Sequence, residues 1–418
     1  MMRTKAVCVF AALGFMSQIE HASAGGFYSP YQSATAIGTA FAGASVRTDD
    51  VGFFLYNPAV ISSFSKAQTF SDVRGFAPSA RIVPTQALSP AGTNLTRNGD
   101  SGNMTDLAAA PGSVTVIPLG HGLTAGFGSS APFATAVETD SGWGGRFHLK
   151  KAYMVGMNAT GAVSWQPASW ISVAGGLQVQ RFETRFENSA LVPTGPASAV
   201  EATAFMKGRD WGLGGVAGVV LKPLPTTSVG LAWRSAMTHD IHGKVGAKLP
   251  GIPVERVSYD IDLPQTITAG LEHRLTPELR LFAELQWADW SRFQGFDISF
   301  ASGRANEVRP VEWKDTWLAA IGFGYRITPA TEVTAGVSYD TAAAKNGSGT
   351  TLSPDANKLM VAGGILTDVP QIGRVSLSYG HVFGEDAPVN ASNLSSGTVN
   401  GTLKSRLDVV AIGLTHEW

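Results

Sequence analysis

Large apolar residues recur at every second position along many segments of the chain, and this pattern constrains the fold more than any other feature. In one such segment the alternate positions hold Trp317, Ala319, Ile321, Phe323 and Tyr325, and the positions between them hold mostly small residues. A β-strand points successive side chains to opposite faces, so a period of two indicates a strand with two different surroundings. The pattern therefore predicts an all-β protein.

The composition narrows the class of β-protein. Only 15% of the residues are charged and the formal net charge is -1, whereas about 25% of residues are charged in ordinary soluble domains. Nothing in the sequence forms the basic face of a nucleic-acid-binding protein, so no nucleic-acid partner is expected. Beyond the first residues, no apolar run reaches the ~18 residues that a membrane-spanning helix needs. The membrane class that remains is the transmembrane β-barrel, and a water-soluble all-β protein is the alternative.

Residues 1–24 have the features of a secretory signal peptide. Two basic residues precede an apolar run from Ala6 to Met16, and small residues follow up to a predicted cleavage site after Ala24. The run is too short to anchor the chain in a bilayer. The single cysteine, Cys8, lies in this segment. The mature chain is therefore predicted to be exported and to contain no disulfide.

The alternating segments predict fourteen strands, joined by short and longer connections in turn. These strands cover residues 66–83, 111–119, 122–130, 150–166, 170–186, 207–222, 226–246, 254–274, 278–300, 312–327, 331–340, 356–368, 372–384 and 403–418. Short turns on one side and longer loops on the other are typical of bacterial outer-membrane barrels. Lipid cannot satisfy an open sheet edge, so the barrel has to close. We expect a barrel over residues 66–418 in the outer membrane of a Gram-negative bacterium, with both termini periplasmic.

The chain ends on an aromatic residue, Trp418, which follows Val410, Ile412 and Leu414 on one parity. Such an ending resembles the terminal signal by which outer-membrane barrels are recognised for insertion. The barrel-assembly machinery is therefore an expected partner. A barrel of this kind is also expected to contact outer-membrane lipid and lipopolysaccharide, and to be a monomer.

Residues 25–65 lack sustained alternation and are rich in small residues with short apolar patches. The stretch VGFFLYNPAVIS, Val51 to Ser62, is strongly apolar but is interrupted by Asn57-Pro58. Proline removes a backbone donor and forces the preceding residue out of the helical region, so a regular helix or central strand is excluded there. The density of aromatic and aliphatic residues argues for burial. The place for such a segment at the periplasmic end of a barrel is the lumen, where it would act as a plug.

Several distinctive motifs follow one another along the chain. They include Gly26-Phe27, Asn57-Pro58-Ala59, SGWGGRFH from Ser141 to His148, DLPQTITAGLEHRLTPELRLFAELQWADWSRF from Asp262 to Phe293, and PDANKLMVAGGI from Pro354 to Ile365. These motifs and their order resemble the FadL-type long-chain fatty-acid transporters, a family that includes importers of aromatic hydrocarbons. The resemblance implies a fourteen-stranded antiparallel transmembrane β-barrel with residues 25–65 folded into the lumen as a hatch. It also implies hatch roles for Asp49, Asp50, Asn57, Pro58 and Ala59.

The resemblance further implies a route for the ligand. The ligand lands among the outer loops, moves to a lumen pocket near the mature N-terminus, and leaves sideways at a kink in the third strand. Phe27 is the candidate apolar contact from the hatch. Gly126, Gly128 and Pro132 are the candidate kink, because glycine and proline weaken ladder pairing and mark bulges. The alternative for these three residues is an ordinary strand end.

A carboxylate ligand would need a cation in the lumen, because a buried unpaired charge is costly and arginine matches carboxylate geometry. Arg181 and Arg234 are predicted to face inward. Arg309 precedes Trp313-Lys314-Asp315, where the resemblance implies a basic residue. The alternative for each arginine is an ion pair with a lumen acid.

These features predict an outer-membrane channel for passive uptake of hydrophobic compounds, with long-chain fatty acids preferred. Uptake of aromatic hydrocarbons by the same mechanism and a general diffusion porin are the alternatives. No spacing of serine, histidine or acidic residues singles out a nucleophile or a base, so no enzyme activity is expected. No cofactor and no metal site are expected either.

Overall fold

The computed structural model describes residues 26–195, 198–345 and 355–418. The predicted signal peptide, residues 1–24, lies outside this part of the chain. Within the described residues, fourteen antiparallel strands form one closed barrel, several of them interrupted by a short break. None of the described helices has the length and apolar composition needed to cross a membrane.

The strands are numbered in chain order. They are β1 (Gln68–Leu88), β2 (Ala108–Gly120), β3 (Leu123–Glu138), β4 (Lys151–Ala168), β5 (Ile171–Gly195), β6 (Ser198–Leu224), β7 (Thr227–Arg234 and Met237–Ala247), β8 (Glu255–Leu263 and Thr266–Arg274), β9 (Leu279–Ala288 and Gly295–Phe300), β10 (Glu307–Pro310 and Thr316–Thr328), β11 (Thr331–Asp340), β12 (Lys358–Val369), β13 (Gly373–Gly384 and Ala387–Asn393) and β14 (Gly397–Glu417). The helical elements are one α-helical turn, Ala34–Ile37, and the 3₁₀ segments Val51–Leu55, Pro58–Ser63, Thr96–Asn98 and Trp290–Arg292.

The barrel closes through β1. One edge of β1 pairs with β2, and the other edge pairs with β14 from Gln68 opposite Glu417 upward. Because each strand has a partner on both sides over most of its length, the wall satisfies its backbone groups without water, as a bilayer requires. The prediction of a closed fourteen-stranded antiparallel transmembrane barrel is confirmed. Trp418 lies at the base of this seam, where its indole N–H donates to Thr69 Oγ1 at 3.2 Å.

The two faces of each strand have different surroundings, as the alternating pattern predicts. On β10, Trp317 and Ile321 point outward and are exposed, while Leu318 and Ala320 point inward and are buried. Inward-facing side chains pack against the segment inside the barrel rather than against lipid. The apolar outer surface is the surface that a bilayer covers.

β9 leaves the wall in its upper half, on the side of the barrel away from the termini. Its ladder with β8 ends at Ala288 opposite Thr266 and resumes at Ser299 opposite Ser258. Between these points the 3₁₀ segment Trp290–Arg292 turns inward, and the side chain of Trp290 is completely buried in the lumen. The break therefore places the aromatic side chain of Trp290 in the lumen, whereas an uninterrupted strand would have kept this residue in the wall.

The hatch, residues 25–65, fills the lower and middle lumen over its described part. Ile37, Phe53 and Val60 are fully buried, and they pack with inward-facing residues such as Phe70 and Val114. The short helical turns satisfy backbone groups locally, which a buried irregular segment has to do. The prediction that the N-terminal segment lies inside the lumen is confirmed.

Candidate functional site

The turn at Asn57-Pro58-Ala59 is held by the side chain of Asn57. Its Oδ1 accepts a hydrogen bond from the backbone N–H of Ala59 at 2.9 Å and so caps the 3₁₀ segment Pro58–Ser63. Pro58 takes the first helical position, where a missing N–H carries no cost. The Nδ2 group of Asn57 donates to the carbonyl oxygens of Ser45 at 2.7 Å and Val219 at 3.1 Å. One side chain therefore shapes the turn and ties it to the wall at β6.

Gly218 on β6 makes room for this turn. A Cβ atom at Gly218 would lie 1.9 Å from Oδ1 of Asn57, far inside van der Waals contact. Ala59 is fully buried beside it, and its carbonyl oxygen accepts from Ser164 Oγ at 3.3 Å. The close approach of turn and wall explains why a glycine stands at this position of the strand.

Asp49 joins the hatch to the wall through arginines. Its carboxylate accepts from Arg47 Nη2 at 2.8 Å and from Arg280 Nη2 at 2.7 Å. Arg280 on β9 also pairs with Glu272 at 3.0 Å and with Glu332 at 2.6 Å. Burial alone would raise the pKa of Asp49, but the charges of Arg47 and Arg280 outweigh it and hold that pKa well below its usual range. Asp49 is therefore ionised at neutral pH.

Asp50, the next residue, has neutral partners. It accepts from the backbone N–H of Gly52 at 2.7 Å and from Thr35 Oγ1 at 2.8 Å, and it caps the 3₁₀ segment Val51–Leu55. Burial raises the pKa of Asp50 to about 6, against the opposing effect of these hydrogen bonds. The two neighbouring acids of the hatch therefore differ in charge near pH 5.

Phe27 is fully buried at the centre of a close-packed cluster of aromatic rings in the upper lumen, which we call the aromatic chamber. Five rings surround it, with centroid distances of 4.8 Å to Trp290, 5.8 Å to Trp313, 6.0 Å to Phe133, 6.0 Å to Phe293 and 6.1 Å to Phe182. The sequence singled out Phe27 but not the rings around it, which come from β3, β5 and the breaks in β9 and β10. Edge-on and tilted packing of this kind is the favourable geometry for aromatic pairs.

The residue before Phe27 fixes the position of the chamber's central ring. The backbone N–H of Gly26 donates to Asp355 Oδ2 at 3.1 Å, and the same oxygen accepts from Ala343 N–H at 2.6 Å. Gly26 has a φ of +69°, and a Cβ there would lie 2.8 Å from the rings of both Trp290 and Trp313. Burial raises the pKa of Asp355. Sequence reasoning did not identify this acid as a hatch contact.

Arg234 is a buried cation with neutral hydrogen-bond partners. Nη1 donates to Gln178 Oε1 at 2.5 Å and Nη2 donates to the carbonyl oxygen of Leu55 at 2.6 Å. No carboxylate within the described ranges forms an ion pair with it. The Nε2 group of Gln178 is buried and has no hydrogen-bond acceptor among the described residues. Two donors that lack an anionic partner therefore lie side by side on the inner wall.

A row of amide side chains connects Arg234 with the chamber. Arginine can only donate, so Gln178 turns its oxygen toward Arg234, and the same oxygen accepts from Asn158 Nδ2 at 2.9 Å. Asn158 Oδ1 then accepts from Gln180, whose own oxygen faces Nε2 of His239 at 2.8 Å. The imidazole of His239 stacks on Phe182, a ring of the chamber. The polar row thus ends where the aromatic surface begins.

Arg181 points outward, so the prediction that it faces the lumen is wrong. It alternates on β5 with the buried residues Gln180 and Phe182, pairs with Glu183, and lies 6.0 Å from the exposed ring of Trp211. The upper part of β5 extends beyond the apolar band. Polar residues occur on both faces there, so polarity no longer distinguishes inside from outside.

Arg309 lies on the first segment of β10, opposite Phe296. Its Nε donates to Glu307 Oε1 at 2.8 Å, so this arginine already has a carboxylate partner. The alternative considered for each arginine, an ion pair with an acid, describes Arg309 but not Arg234. A ligand-binding role for either residue stays a prediction.

The three residues predicted to form a kink in β3 occupy two different environments. Gly126 and Gly128 face the hatch, and a Cβ at Gly126 would lie 2.7 Å from side-chain atoms of Phe54 and Ile61. The irregularity of the strand lies higher, between Ser130 and Phe133, where β3 has one residue more than β4. Pro132 belongs to this bulge.

Above the bulge, the hatch replaces β2 as the partner of β3. The ladder between β2 and β3 ends at Ser113 opposite Ser129. Beyond it, the N–H of Ser29 donates to the Pro132 carbonyl at 2.7 Å and the N–H of Ala134 donates to the Phe27 carbonyl at 2.9 Å. The first residues of the hatch therefore cover a strand edge that the wall leaves unpaired. That this edge is an exit stays a prediction.

A closed antiparallel barrel with a lipid-facing apolar surface and its own N-terminal segment inside the lumen defines a plugged outer-membrane barrel. The sequence matches, over residues 15–418, the profile of the family described as outer membrane protein transport protein (OMPP1/FadL/TodX). The chain belongs to this family of outer-membrane transport proteins.

Its relatives resemble it over nearly their whole length. A putative outer membrane protein of Neisseria meningitidis is 21% identical, over 99% of this chain and 98% of the relative. A long-chain fatty acid transport protein of Salmonella typhi is 23% identical, over 87% of this chain and 89% of the relative. The outer-membrane location predicted from the sequence is confirmed.

Solved structures show the same fold. A Pseudomonas aeruginosa FadL homologue superposes with a TM-score of 0.84 at 20% identity, covering 94% of this chain and 99% of that structure. The toluene transporter TodX of P. putida superposes with a TM-score of 0.66 at 14% identity, covering 92% of this chain and 98% of that structure. At these identities the likeness concerns the fold alone.

Proposed function

We propose that this protein is a channel for passive uptake of hydrophobic compounds, and that long-chain fatty acids are its substrates. The observation that carries the proposal is the buried guanidinium of Arg234, which has only neutral acceptors among the described residues. A carboxylate at this position would gain charge-assisted hydrogen bonds, worth about 1.5–3 kcal/mol each. The unpaired Nε2 of Gln178 is a further donor for it.

The aromatic chamber supplies the affinity for the acyl chain. Burying a methylene group contributes about 0.8 kcal/mol, so a long chain reaches on the order of 10 kcal/mol before the cost of ordering it. The row from Gln178 to His239 joins the chamber to Arg234. A fatty acid would therefore have a polar and an apolar subsite along one wall.

Release is the step in which the hatch takes part. The lumen below the chamber is filled by the hatch, so a straight path to the periplasm is blocked. Among the described residues, the backbone partners of the β3 edge near Pro132 are the hatch residues Phe27 and Ser29. A shift of these few residues would uncover a lateral path between β2 and β3, and the ligand would leave sideways into the bilayer.

An uptake experiment tests the proposal. Cells with and without this protein are supplied with a radiolabelled long-chain fatty acid or with an alkylbenzene of similar hydrophobicity. Faster uptake of the fatty acid only when the protein is present is expected. Equal fatty-acid uptake by both strains would refute the proposed substrate.

Uptake of aromatic hydrocarbons is the second candidate function. The observation that favours it is the set of aromatic rings packed around Phe27, because an uncharged aromatic ligand could make the same ring contacts. TodX, a protein whose solved structure has the same fold, is described as a toluene transporter. In the same assay, uptake of the alkylbenzene alone would support this candidate.

A general diffusion porin is the remaining alternative, and the buried hatch argues against it. Removing residues 25–60 and measuring single-channel conductance separates the two cases. A plugged channel would conduct much more after the deletion, whereas a porin would change little. Catalysis forms no part of the proposal.

A further inference from the structure

Both ring nitrogens of His239 face oxygen atoms of other side chains. Nε2 lies 2.8 Å from Oε1 of Gln180, and Nδ1 lies 3.2 Å from Oδ2 of Asp210. A neutral imidazole carries one N–H, so it can donate to only one of these oxygens, and its other nitrogen is an acceptor. Either one of the two contacts places lone pairs against each other, or the ring carries both protons.

The oxygen of Gln180 is held toward the ring from the far end of the row of amide side chains. We call Gln178, Asn158 and Gln180 the amide row. Arginine has no acceptor, so Arg234 fixes the oxygen of Gln178 toward itself. That oxygen accepts from Nδ2 of Asn158, and the Asn158 oxygen accepts from Nε2 of Gln180. Each amide therefore orients the next, and the amide row presents an oxygen to His239.

The carboxylate of Asp210 fixes the role of the other nitrogen. A carboxylate is an acceptor only, so Nδ1 has to donate to it. All donors and acceptors from Arg234 to Asp210 are matched only when His239 carries a proton on each nitrogen. The geometry therefore fits an imidazolium.

The surroundings fix the plane of this ring. His239 is completely buried and stacks on Phe182 at a centroid distance of 5.1 Å. A Cβ at Gly212 would lie 2.6 Å from the ring, so the ring fills the space beside β6. Ile261 lies opposite on β8, and the Tyr259 hydroxyl of that strand is bonded to β5. Among the described residues, Asp210 is the charged group in contact with the ring.

The charge of His239 depends on two opposing effects. Burying an imidazolium is costly, and the ion pair with Asp210 offsets part of that cost. Histidine is the side chain whose charge ordinarily changes between pH 5 and pH 8. The ring is therefore expected to carry both protons in mild acid and to lose one of them as the pH rises.

We propose that protonated His239 is a positioning residue of the fatty-acid site at Arg234. Its Nε2–H keeps the amide row in the observed direction, in which Gln178 accepts from Arg234 and leaves its own Nε2 free for a carboxylate. His239 thus acts on the ligand through the amide row. This inference rests on the proposed function and adds a control of the same site by pH.

Loss of one proton reverses the amide row. The N–H on Nδ1 stays, because a hydrogen bond to a carboxylate is stronger than one to an amide oxygen. Nε2 then accepts, so Gln180 turns its NH₂ group toward it, and Asn158 and Gln178 follow. The oxygen of Gln178 then faces the carboxylate of the ligand, and its NH₂ group faces Arg234. Binding of an anionic head group is therefore expected to weaken as the pH rises.

The first test is NMR of the purified full-length protein in detergent with ¹⁵N-labelled histidine. At pH 5 both ring nitrogens of His239 should carry a proton, and the spectrum of His239→Phe assigns these resonances. After the loss of one proton at higher pH, the remaining proton should be on Nδ1. A lone pair on either nitrogen at pH 5, or a neutral ring with its proton on Nε2, would overturn the proposal.

Ligand binding gives a second readout. The anionic probe is a long-chain alkyl sulfonate, which stays charged from pH 5 to pH 7.5, and the uncharged probe is an alkylbenzene. Wild-type protein should bind the sulfonate about fivefold more tightly at pH 5 than at pH 7.5, a difference of about one hydrogen bond. The alkylbenzene should bind equally at both pH values.

Two variants should remove this pH dependence in opposite directions. Asp210→Asn should bind the sulfonate tightly at both pH values, because the new amide can donate to Nδ1 and lets a neutral His239 keep its Nε2–H. His239→Phe should bind it weakly at both, because its ring has no donor. The matched control is His242→Gln with Asp240→Asn, a pair 3.5 Å apart on the outer face of the same strand, which should keep the wild-type profile.

Failure of this inference differs from failure of the proposed function. A wild-type pH profile in Asp210→Asn and in His239→Phe would refute the role of His239. Unchanged sulfonate binding in Arg234→Gln would instead refute the proposed fatty-acid site. The NMR result does not depend on that site.

Discussion

Arg234 on β7 donates a hydrogen bond to the carbonyl oxygen of Leu55 in the hatch, with 2.6 Å between the two atoms. Leu55 ends the 3₁₀ segment that precedes the Asn57 turn. The same guanidinium is the buried cation for which the described residues offer no carboxylate. One contact therefore joins the candidate binding group of the wall to the segment that closes the lumen.

Arg234→Gln is expected to weaken binding of a long-chain fatty acid by about tenfold or more, because a charge-assisted hydrogen bond is worth about 1.5–3 kcal/mol. Binding of an alkylbenzene should change by about twofold or less, since no carboxylate is involved. Fluorescence displacement with purified protein measures both affinities. Arg181→Gln is the control, because Arg181 points outward. Equal losses for the acid and the hydrocarbon would exclude a carboxylate site at Arg234.

Gly218→Ala is expected to dislodge the Asn57 turn, because the added Cβ would lie 1.9 Å from Asn57 Oδ1. Single-channel conductance should rise, and backbone amides of residues 57–63 should exchange with deuterium faster than in the wild type. Gly175→Ala is the matched control, since a Cβ there has no atom within 4 Å. Unchanged conductance and exchange in the Gly218 variant would contradict the proposed role of the turn as a block.

Deletion of Pro132 is expected to reduce uptake while leaving the barrel folded. β3 has one residue more than β4 between Ser130 and Phe133, so the deletion removes the bulge and lets the ladder continue. The ladder with β4 would then be continuous, and the straightened β3 is expected to extend its pairing with β2 beyond Ser113 and so close the edge that the hatch residues now cover. Pro132→Ala keeps the strand length and should retain most of the uptake. If the deletion variant transports at the wild-type rate, the exit lies elsewhere.

Docking of the hatch is expected to be tighter at pH 5 than at pH 7.5 because of Asp50. Burial raises the pKa of Asp50 to about 6 in the folded state, above its value of about 3.9 in an unfolded chain. The resulting stabilisation is fully present below the unfolded pKa and is lost as the pH rises through about 6. Asp49, whose pKa is lowered, stays ionised throughout this range and loses its stabilisation only in stronger acid.

Hydrogen exchange of residues 33–64, corrected for the intrinsic effect of pH on the exchange rate, measures this dependence. Asp50→Asn should flatten the profile between pH 5 and pH 7.5, because the side chain then carries no charge at either pH. A profile for the Asn variant that is as steep as that of the wild type would assign the pH dependence to another group.

The strand ends illustrate how far the sequence pattern reaches. Alternation predicts a fifth strand over residues 170–186 and a last strand from residue 403, whereas β5 runs to Gly195 and β14 begins at Gly397. Backbone pairing continues above the membrane, where neither face has to be apolar. The periodic signal ends there although the hydrogen-bonded ladder does not.

The candidate site was predictable in part. The Asn57-Pro58-Ala59 turn and Phe27 are local features, and the sequence identified both. The partners of these residues, Gly218 for the turn and Trp290 for the ring, are more than a hundred residues away along the chain, and no local period connects them. Arg181 was assigned to the wrong face because it lies beyond the apolar band.

A closed outer-membrane barrel with a buried segment follows from the amino-acid pattern, because lipid imposes a period of two on every strand that crosses it. Which side chains meet in the lumen depends on the three-dimensional fold. Inside the barrel no solvent imposes a period, and contacts depend on where distant strands curve, bulge or break, as β9 does at Trp290. The charge state of Asp50 and the neutral partners that the described residues offer Arg234 are consequences of that enclosure.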